Sequence, residues 1–172
     1  MYQLFHLYFD ICLLRKGPQA VPESPFLLLV TLLFNLTISL IAGTITDTFS
    51  NALAQALLGF GIMIAFTAIV LSIRGHIKRL SQTITAMLGT EALITIVLIP
   101  MSMVIIGMDT ESVSRFLKDA LTILWLMVVV WYLLVMAHIL RHALSMNLFQ
   151  GVLLSIGMLA ITWQINASLF GS

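Results

Sequence analysis

Charge is scarce in this chain. Among 172 residues there are eight Lys and Arg and seven Asp and Glu, so 9% of the residues are charged, while 60% are hydrophobic and the mean hydropathy is +1.11. A water-soluble globule of this size needs more polar surface than these residues supply, whereas a lipid bilayer requires an apolar surface. The composition therefore predicts an integral membrane protein with the lipid bilayer as its solvent.

Cysteine and the common catalytic motifs are also scarce. The single cysteine, Cys12, excludes an intramolecular disulfide and a metal cluster built on cysteine. The net charge of +1 is too small for a nucleic-acid surface, which needs Lys and Arg in clusters. The chain has no Gly-rich phosphate loop, no HExxH motif and no evident pair of carboxylates at one membrane interface. We therefore expect a protein that is not an enzyme and needs no cofactor.

Five hydrophobic runs approach or exceed the length of about 20 residues that a membrane-spanning helix needs. They cover residues 25–43, 51–73, 81–106, 116–140 and 148–169, and no long hydrophilic insertion separates them. The sequence thus predicts an all-α fold, a polytopic bundle of five transmembrane helices that forms one domain over residues 1–172. In the second run, small residues four apart predict a face packed closely against a neighbouring helix. These are Ala52 with Ala56 and Gly61 with Ala65.

The densest positive charge lies in residues 74–79, between the second and third runs. Because cytoplasmic loops carry an excess of Lys and Arg, this turn is expected in the cytoplasm. Alternation of the spans then places six basic residues inside and two outside, which predicts a protein of the inner (plasma) membrane with a cytoplasmic amino terminus and an external or periplasmic carboxyl terminus. The inside set is Arg15, Lys16, Arg74, Lys78, Arg79 and Arg141, and the outside set is Arg115 and Lys118.

The segment before the first span, residues 1–16, is apolar but too short to cross the bilayer. Read as a helix, it gathers Gln3, His6 and Asp10 into one polar stripe, which is typical of an amphipathic interfacial helix that lies along the membrane or packs against the bundle. Residues 17–25 hold three of the four prolines and are predicted to run extended along the headgroups. Ser24 and Pro25 are predicted to begin the next helix.

The short Pro-containing entry Lys16-Gly17-Pro18-Gln19, followed by five spans, resembles the Yip1-type membrane proteins. In that family a cytoplasmic amino-terminal segment precedes five transmembrane helices. Of the family's Asp-Leu-Tyr-Gly-Pro signature, this chain keeps only Gly17-Pro18. The resemblance implies a noncatalytic membrane protein.

Glu91 is the most informative polar residue, because an ionisable side chain within a span is costly and faces the bundle interior or a water-filled cavity. Asn35 in the first span and Glu91 in the third each lie ten residues from the predicted inner end, at a depth of about 15 Å. A hydrogen bond between them is therefore predicted. Two interpretations stay open: a proton or cation site, or a protonated carboxyl that joins two helices.

Other polar and aromatic groups are weaker candidates. His138 and His142, four residues apart, could share a metal ion if a third ligand such as His76 or His6 joined them, but we expect no metal. Near the outer side, three amide side chains could line a vestibule or hydrogen-bond across helices, and we predict the latter; they are Gln55, Gln164 and Asn166. Four aromatic residues are predicted to be too scattered in depth to form a cage, namely Trp125, Trp131, Tyr132 and Trp163.

Two functions follow from these observations. The expected one is a noncatalytic scaffold or partner for other membrane proteins, or for a second copy of the chain. The alternative is a small oligomeric transporter or channel with Glu91 as its proton or cation site. A continuous polar path from Glu91 to one membrane surface would distinguish the second from the first.

Overall fold

The computed structural model of the chain describes residues 2–107 and 115–170, with side chains for residues 4–106 and 116–170. All regular structure in these ranges is helical, which confirms the all-α fold. The six α-helices are α1 (Tyr2–Cys12), α2 (Pro25–Gly43), α3 (Phe49–Ile73), α4 (Leu80–Gly107), α5 (Arg115–Leu144) and α6 (Leu148–Phe170). Five of them, α2 to α6, are long and apolar enough to cross a membrane, as predicted.

Helix α2 begins as the sequence indicates. The Ser24 hydroxyl accepts a hydrogen bond from the Leu27 N–H at 3.3 Å, and Pro25 occupies the first helical position, where its missing N–H is not needed. The end of helix α5 differs from the prediction: the helix continues to Leu144, four residues beyond its predicted end. The polar residues Arg141 and His142 do not stop the helix, because its last carbonyls accept hydrogen bonds from the side chains of Gln19 and Arg79.

The prediction of an extended connector at residues 17–25 is wrong in its first half. Pro18–Ala20 forms a 3₁₀ turn, and Pro18 and Val21 are buried. Proline's fixed φ suits the first position of a helical turn as well as an extended chain, so burial decides between them. The connector packs on α4 and α5, and the Gln82 side chain donates to the Val21 carbonyl at 3.0 Å.

Small residues let two helix pairs approach closely. A Cβ added at Gly151 of α6 would lie 2.5 Å from the Ala137 carbonyl oxygen of α5, and one at Gly43 would lie 2.8 Å from the Cβ of Ala52. Ala52 is therefore buried as predicted, but Gly61 and Ala65 are exposed, so the prediction of one packed face was wrong for them. Nine residues separate Ala52 from Gly61, about two and a half helical turns, which puts them on opposite sides of α3.

Burial is concentrated at one end of the bundle. We call it the basic end, since it holds the turn at residues 74–79, the loop between α5 and α6 and the connector, and we call the other end the opposite end. Eight consecutive residues of α4, 83–90, and six of α5, 135–140, are buried. Nearer the opposite end, neither helix has such a run among its described side chains. The bundle is packed solidly at the basic end and opens toward the opposite end.

Candidate functional site: a cavity that ends at Glu91

A cavity of about 570 Å³ lies between α3, α4, α5 and α6, with one lining residue, Ser39, from α2. Its limits toward the basic end are Met63, Glu91, Tyr132 and Met158, one from each helix, and its limits toward the opposite end are Gln55, Leu98, Trp125 and Asn166. Seven or eight residues separate the two limits on every helix, so the cavity is about 10–12 Å tall. Glu91 therefore lies at its closed end.

The walls of this cavity are mostly apolar and aromatic, with a few polar groups. Its polar side chains are Ser39, Gln55, Glu91, Thr95, Tyr132, Thr162 and Asn166. Among the described residues that line it, Glu91 is the single carboxylic acid, and no Lys, Arg or His is present. The cavity thus offers one acidic group within an otherwise uncharged wall.

Asn35 of α2 contacts Glu91 of α4 and is itself buried. The hydrogen bond predicted from their equal depth is present, with Asn35 Nδ2 donating to Glu91 Oε2 at 3.4 Å. The same amide donates to the Leu88 carbonyl at 2.7 Å, and its oxygen accepts from the Ser39 hydroxyl at 3.0 Å. Asn35 is completely buried and Glu91 is partly exposed. The amide is therefore fixed from three sides, while the carboxyl keeps part of its surface toward the cavity.

The mouth of the cavity carries a second carboxylate. Gln55, which lines the cavity, donates from Nε2 to Asp47 Oδ2 at 2.9 Å in the loop between α2 and α3. Asp47 also accepts from the Asn51 amide at 2.9 Å and from the Thr48 N–H at 2.7 Å. The Asn51 amide and then the Thr48 N–H hold the pKa of Asp47 below its ordinary value. Polar groups therefore join the loop to the cavity, and the cavity reaches Glu91.

The amide side chains predicted to hydrogen-bond across helices behave differently. Asn166 donates to the Thr162 carbonyl of its own helix at 2.8 Å, and its Oδ1 is buried with no protein partner. It lines the cavity together with Gln55, as the vestibule interpretation required, so the interhelical prediction was wrong for this pair. Gln164 is exposed and does not line the cavity.

Three of the four aromatic residues line this one cavity, namely Trp125, Tyr132 and Trp163. The cavity extends over about two helical turns and collects these rings at different depths, so the prediction that they do not form a cage stays a prediction. Trp131 turns away from it and donates from Nε1 to the Cys12 carbonyl at 2.9 Å. Sequence reasoning did not identify Ser39 and Thr95 as lining residues. Ser39 lies four residues after Asn35 and Thr95 four residues after Glu91, so each shares a helical face with the residue already singled out.

Helix α1 closes the bundle behind the cavity. Tyr8, Ile11 and Cys12 are buried, and the Tyr8 ring packs on Gly89, two residues before Glu91. The Tyr8 hydroxyl is 2.9 Å from the Thr31 hydroxyl of α2. Of the two placements that the sequence left open for this segment, the structure has the packed one.

The polar stripe of α1 faces away from this contact. His6 is exposed, and Asp10 forms an ion pair with Lys16 at 2.9 Å. The hydrogen bond from Lys16 lowers the pKa of Asp10. The side chain of Gln3 lies outside the described residues. Through Asp10, the stripe therefore ties the end of α1 to Lys16, directly before the connector.

The histidine pair lies at the basic end, away from the cavity. The rings of His138 and His142 are 4.6 Å apart, and His138 Nε2 donates to the Lys16 carbonyl at 3.1 Å. Because this nitrogen carries a hydrogen toward the carbonyl, it has no lone pair for a metal ion. Within the described residues, no third His, Cys, Asp or Glu joins the pair, and neither His6 nor His76 completes a site.

Comparisons of the chain with protein-family models, with curated proteins and with solved structures found no match. The resemblance to the Yip1-type proteins therefore stays a prediction.

Proposed function

We propose that this protein is a small membrane transporter that admits a solute at the opposite end and holds it at Glu91. The observation that carries the proposal is the cavity that extends from Gln55, which is hydrogen-bonded to Asp47, to Glu91. A scaffold has no need of an internal cavity, and burying a carboxyl without a charged partner costs stability. A cavity of about 570 Å³ also falls within the range of small-molecule sites.

The closed basic end fits one state of a transport cycle. Transport requires the site to reach both membrane surfaces in turn, which in many transporters is achieved by rocking one group of helices against another. In this conformation α1 and the consecutive buried residues of α4 separate Glu91 from the basic end. The second state would close the mouth near Gln55 and open the packing around Tyr8.

The membrane and the orientation are part of the same proposal. We place the protein in the inner (plasma) membrane with the basic end in the cytoplasm, because Lys and Arg gather at that end. The cavity would then open to the outside. A topology reporter fused after Arg79 is expected to be active only as a cytoplasmic fusion, and one fused after Ser172 only as an external fusion. The same location for both fusions would contradict five crossings with this orientation.

The transport proposal is tested in reconstituted vesicles. Wild-type protein is expected to carry a flux of protons when a gradient of protons or of the transported solute is imposed, and Glu91→Gln is expected to abolish it, because an amide of the same shape cannot exchange a proton. Asp119→Asn is the matched control, since it removes an exposed carboxylate outside the cavity. Circular dichroism checks that each variant keeps its helices. Absence of wild-type flux under every gradient would favour the scaffold instead.

A further inference from the structure

We propose that the cavity binds an organic cation, a small amine or quaternary ammonium compound with an apolar body. This inference rests on the proposed function and specifies its substrate. It starts from a mismatch between the site and an inorganic ion. A bare metal cation needs several oxygen ligands to replace its hydration shell, whereas most of the cavity wall is hydrocarbon and aromatic ring, with Glu91 as its one acidic group among the described residues.

Charge decides the sign of the ligand. Glu91 at the closed end and Asp47 beside the mouth are both acidic, and no basic side chain is among the described residues that line the cavity. An anion would be repelled by Asp47 at the mouth and would find no basic side chain to pair with among the described lining residues. A cation can pair with the carboxylate form of Glu91, whereas an uncharged molecule of the same shape cannot, and this favours the cation.

The aromatic and apolar side chains of the cavity wall indicate what the uncharged part of the ligand is. Trp125 and Tyr132 contribute rings to the cavity wall, and Trp163, which is 77% exposed, lies at its edge. Ring faces attract ammonium groups without requiring a full shell of oxygen ligands. Apolar side chains such as Leu98 and Met158 complete the wall. A molecule with one positive charge and a hydrocarbon or ring substituent matches these groups, with its charge toward Glu91 and its apolar part between the rings.

Binding of such a cation is coupled to a proton. In the empty cavity the neutral form of the Glu91 carboxyl has the lower free energy, because no positive charge is nearby. A bound ammonium group stabilises the carboxylate form, so the proton leaves Glu91 when the cation binds. The net charge of the site is then unchanged. Asn35 from α2 does not titrate, and Tyr132 from α5 is the other titratable group among the described residues lining the cavity. The described residues of α3 and α6 that line the cavity include no titratable group. One proton is therefore released for each cation bound.

The test uses benzyltrimethylammonium and its uncharged isostere neopentylbenzene with the purified, detergent-solubilised protein. Calorimetry is expected to show saturable binding of one cation per chain, with affinity rising up to about tenfold per pH unit while Glu91 is protonated in the empty protein. A weakly buffered titration should record one released proton. Neopentylbenzene is expected not to compete. Equal binding of the two compounds would overturn the inference.

Four variants, two of them controls, sharpen this test. Glu91→Gln should abolish the proton release and weaken binding of the cation, whereas Asp119→Asn should change neither. Trp125→Leu should weaken binding about 3- to 30-fold through loss of the cation–π contact. Phe116→Leu, which replaces an exposed ring outside the cavity, should not. Unchanged binding by a folded Glu91→Gln protein would contradict the assignment.

A second measurement avoids any substitution. Dicyclohexylcarbodiimide modifies protonated carboxyl groups in apolar surroundings, and mass spectrometry locates the adduct. We expect modification of wild-type Glu91 and protection by saturating benzyltrimethylammonium; modification at an unchanged rate would overturn the inference. Flux of protons or sodium that depends on Glu91, without binding of the organic cation, would refute the substrate class but keep the transporter. Absence of both flux and binding would refute both proposals.

Discussion

Gly89→Leu is expected to make Cys12 react with a maleimide about tenfold or more faster than in the wild-type protein, because it forces α1 away from α4. A Cβ at Gly89 would lie 2.5–2.6 Å from three atoms of the Tyr8 ring, and leucine adds three further carbons in the same direction. The ring is held by its hydroxyl contact with Thr31, so it cannot move aside without loosening the helix that carries it.

Cys12 reports this movement without an engineered label. It is the only cysteine in the chain, it is 2% exposed, and burial raises the pKa of its thiol to about 12. The thiolate is the reactive form, so the docked helix protects the thiol both by covering it and by keeping it protonated. Release of α1 removes both protections together, which is why a large change in labelling rate is expected.

Gly61→Leu supplies the matched control, since an added Cβ there meets no atom within 4 Å. It should leave the labelling rate of Cys12 near that of the wild type. Both variants should keep their helical circular dichroism, because α4 and α3 gain a good helix former. If Gly89→Leu stays folded and its Cys12 is no more reactive than before, α1 does not close the bundle behind the cavity, and the proposed opening of the basic end loses its structural basis.

The features that the sequence predicted well depend on one helix at a time. Span length and the pair Ser24 and Pro25 define α2 correctly, because hydropathy and capping act locally. The contact of Asn35 with Glu91 was also accessible, since helical rise converts residue counts into depth and both residues lie equally deep. Counting along separate helices could identify this pair without knowledge of the packing between helices.

The cavity could not be predicted in this way. It lies where the continuous burial of α4 and α5 ends, and the position of that change depends on how the helices cross. Trp125 and Trp163 appeared unrelated in sequence, and only packing brings them to the same wall. The position of α1 was undecided for a related reason, since a polar stripe such as His6 with Asp10 can face headgroups or water whether the other side lies on lipid or on protein.

Arg79 carries the second large expected effect. Arg79→Ala should lower the free energy of unfolding by about 1.5–3 kcal/mol, the usual contribution of hydrogen bonds made by a charged group. Its Nη1 donates to the Ala143 carbonyl at 3.0 Å and to the Ser145 hydroxyl at 3.2 Å, and it lies 3.4 Å from the His142 carbonyl. These carbonyls end α5 and have no partner within the helix, so the guanidinium both satisfies them and opposes the negative end of the helix dipole.

Lys78→Ala separates this contact from the charge of the turn. Lys78 is exposed in the same 3₁₀ turn, Ile77–Arg79, so each substitution removes one positive charge from the same turn and reduces its basic charge equally. Lys78→Ala should change the free energy of unfolding by no more than about 0.5 kcal/mol, as measured by denaturation in mixed micelles. Equal losses in the two variants would mean that net charge, and not the capping of α5 by Arg79, stabilises the basic end. If only Arg79→Ala lowers the free energy of unfolding, the basic turn has a structural role. Its Arg79 then connects the start of α4 to the end of α5 on the basic side of the cavity.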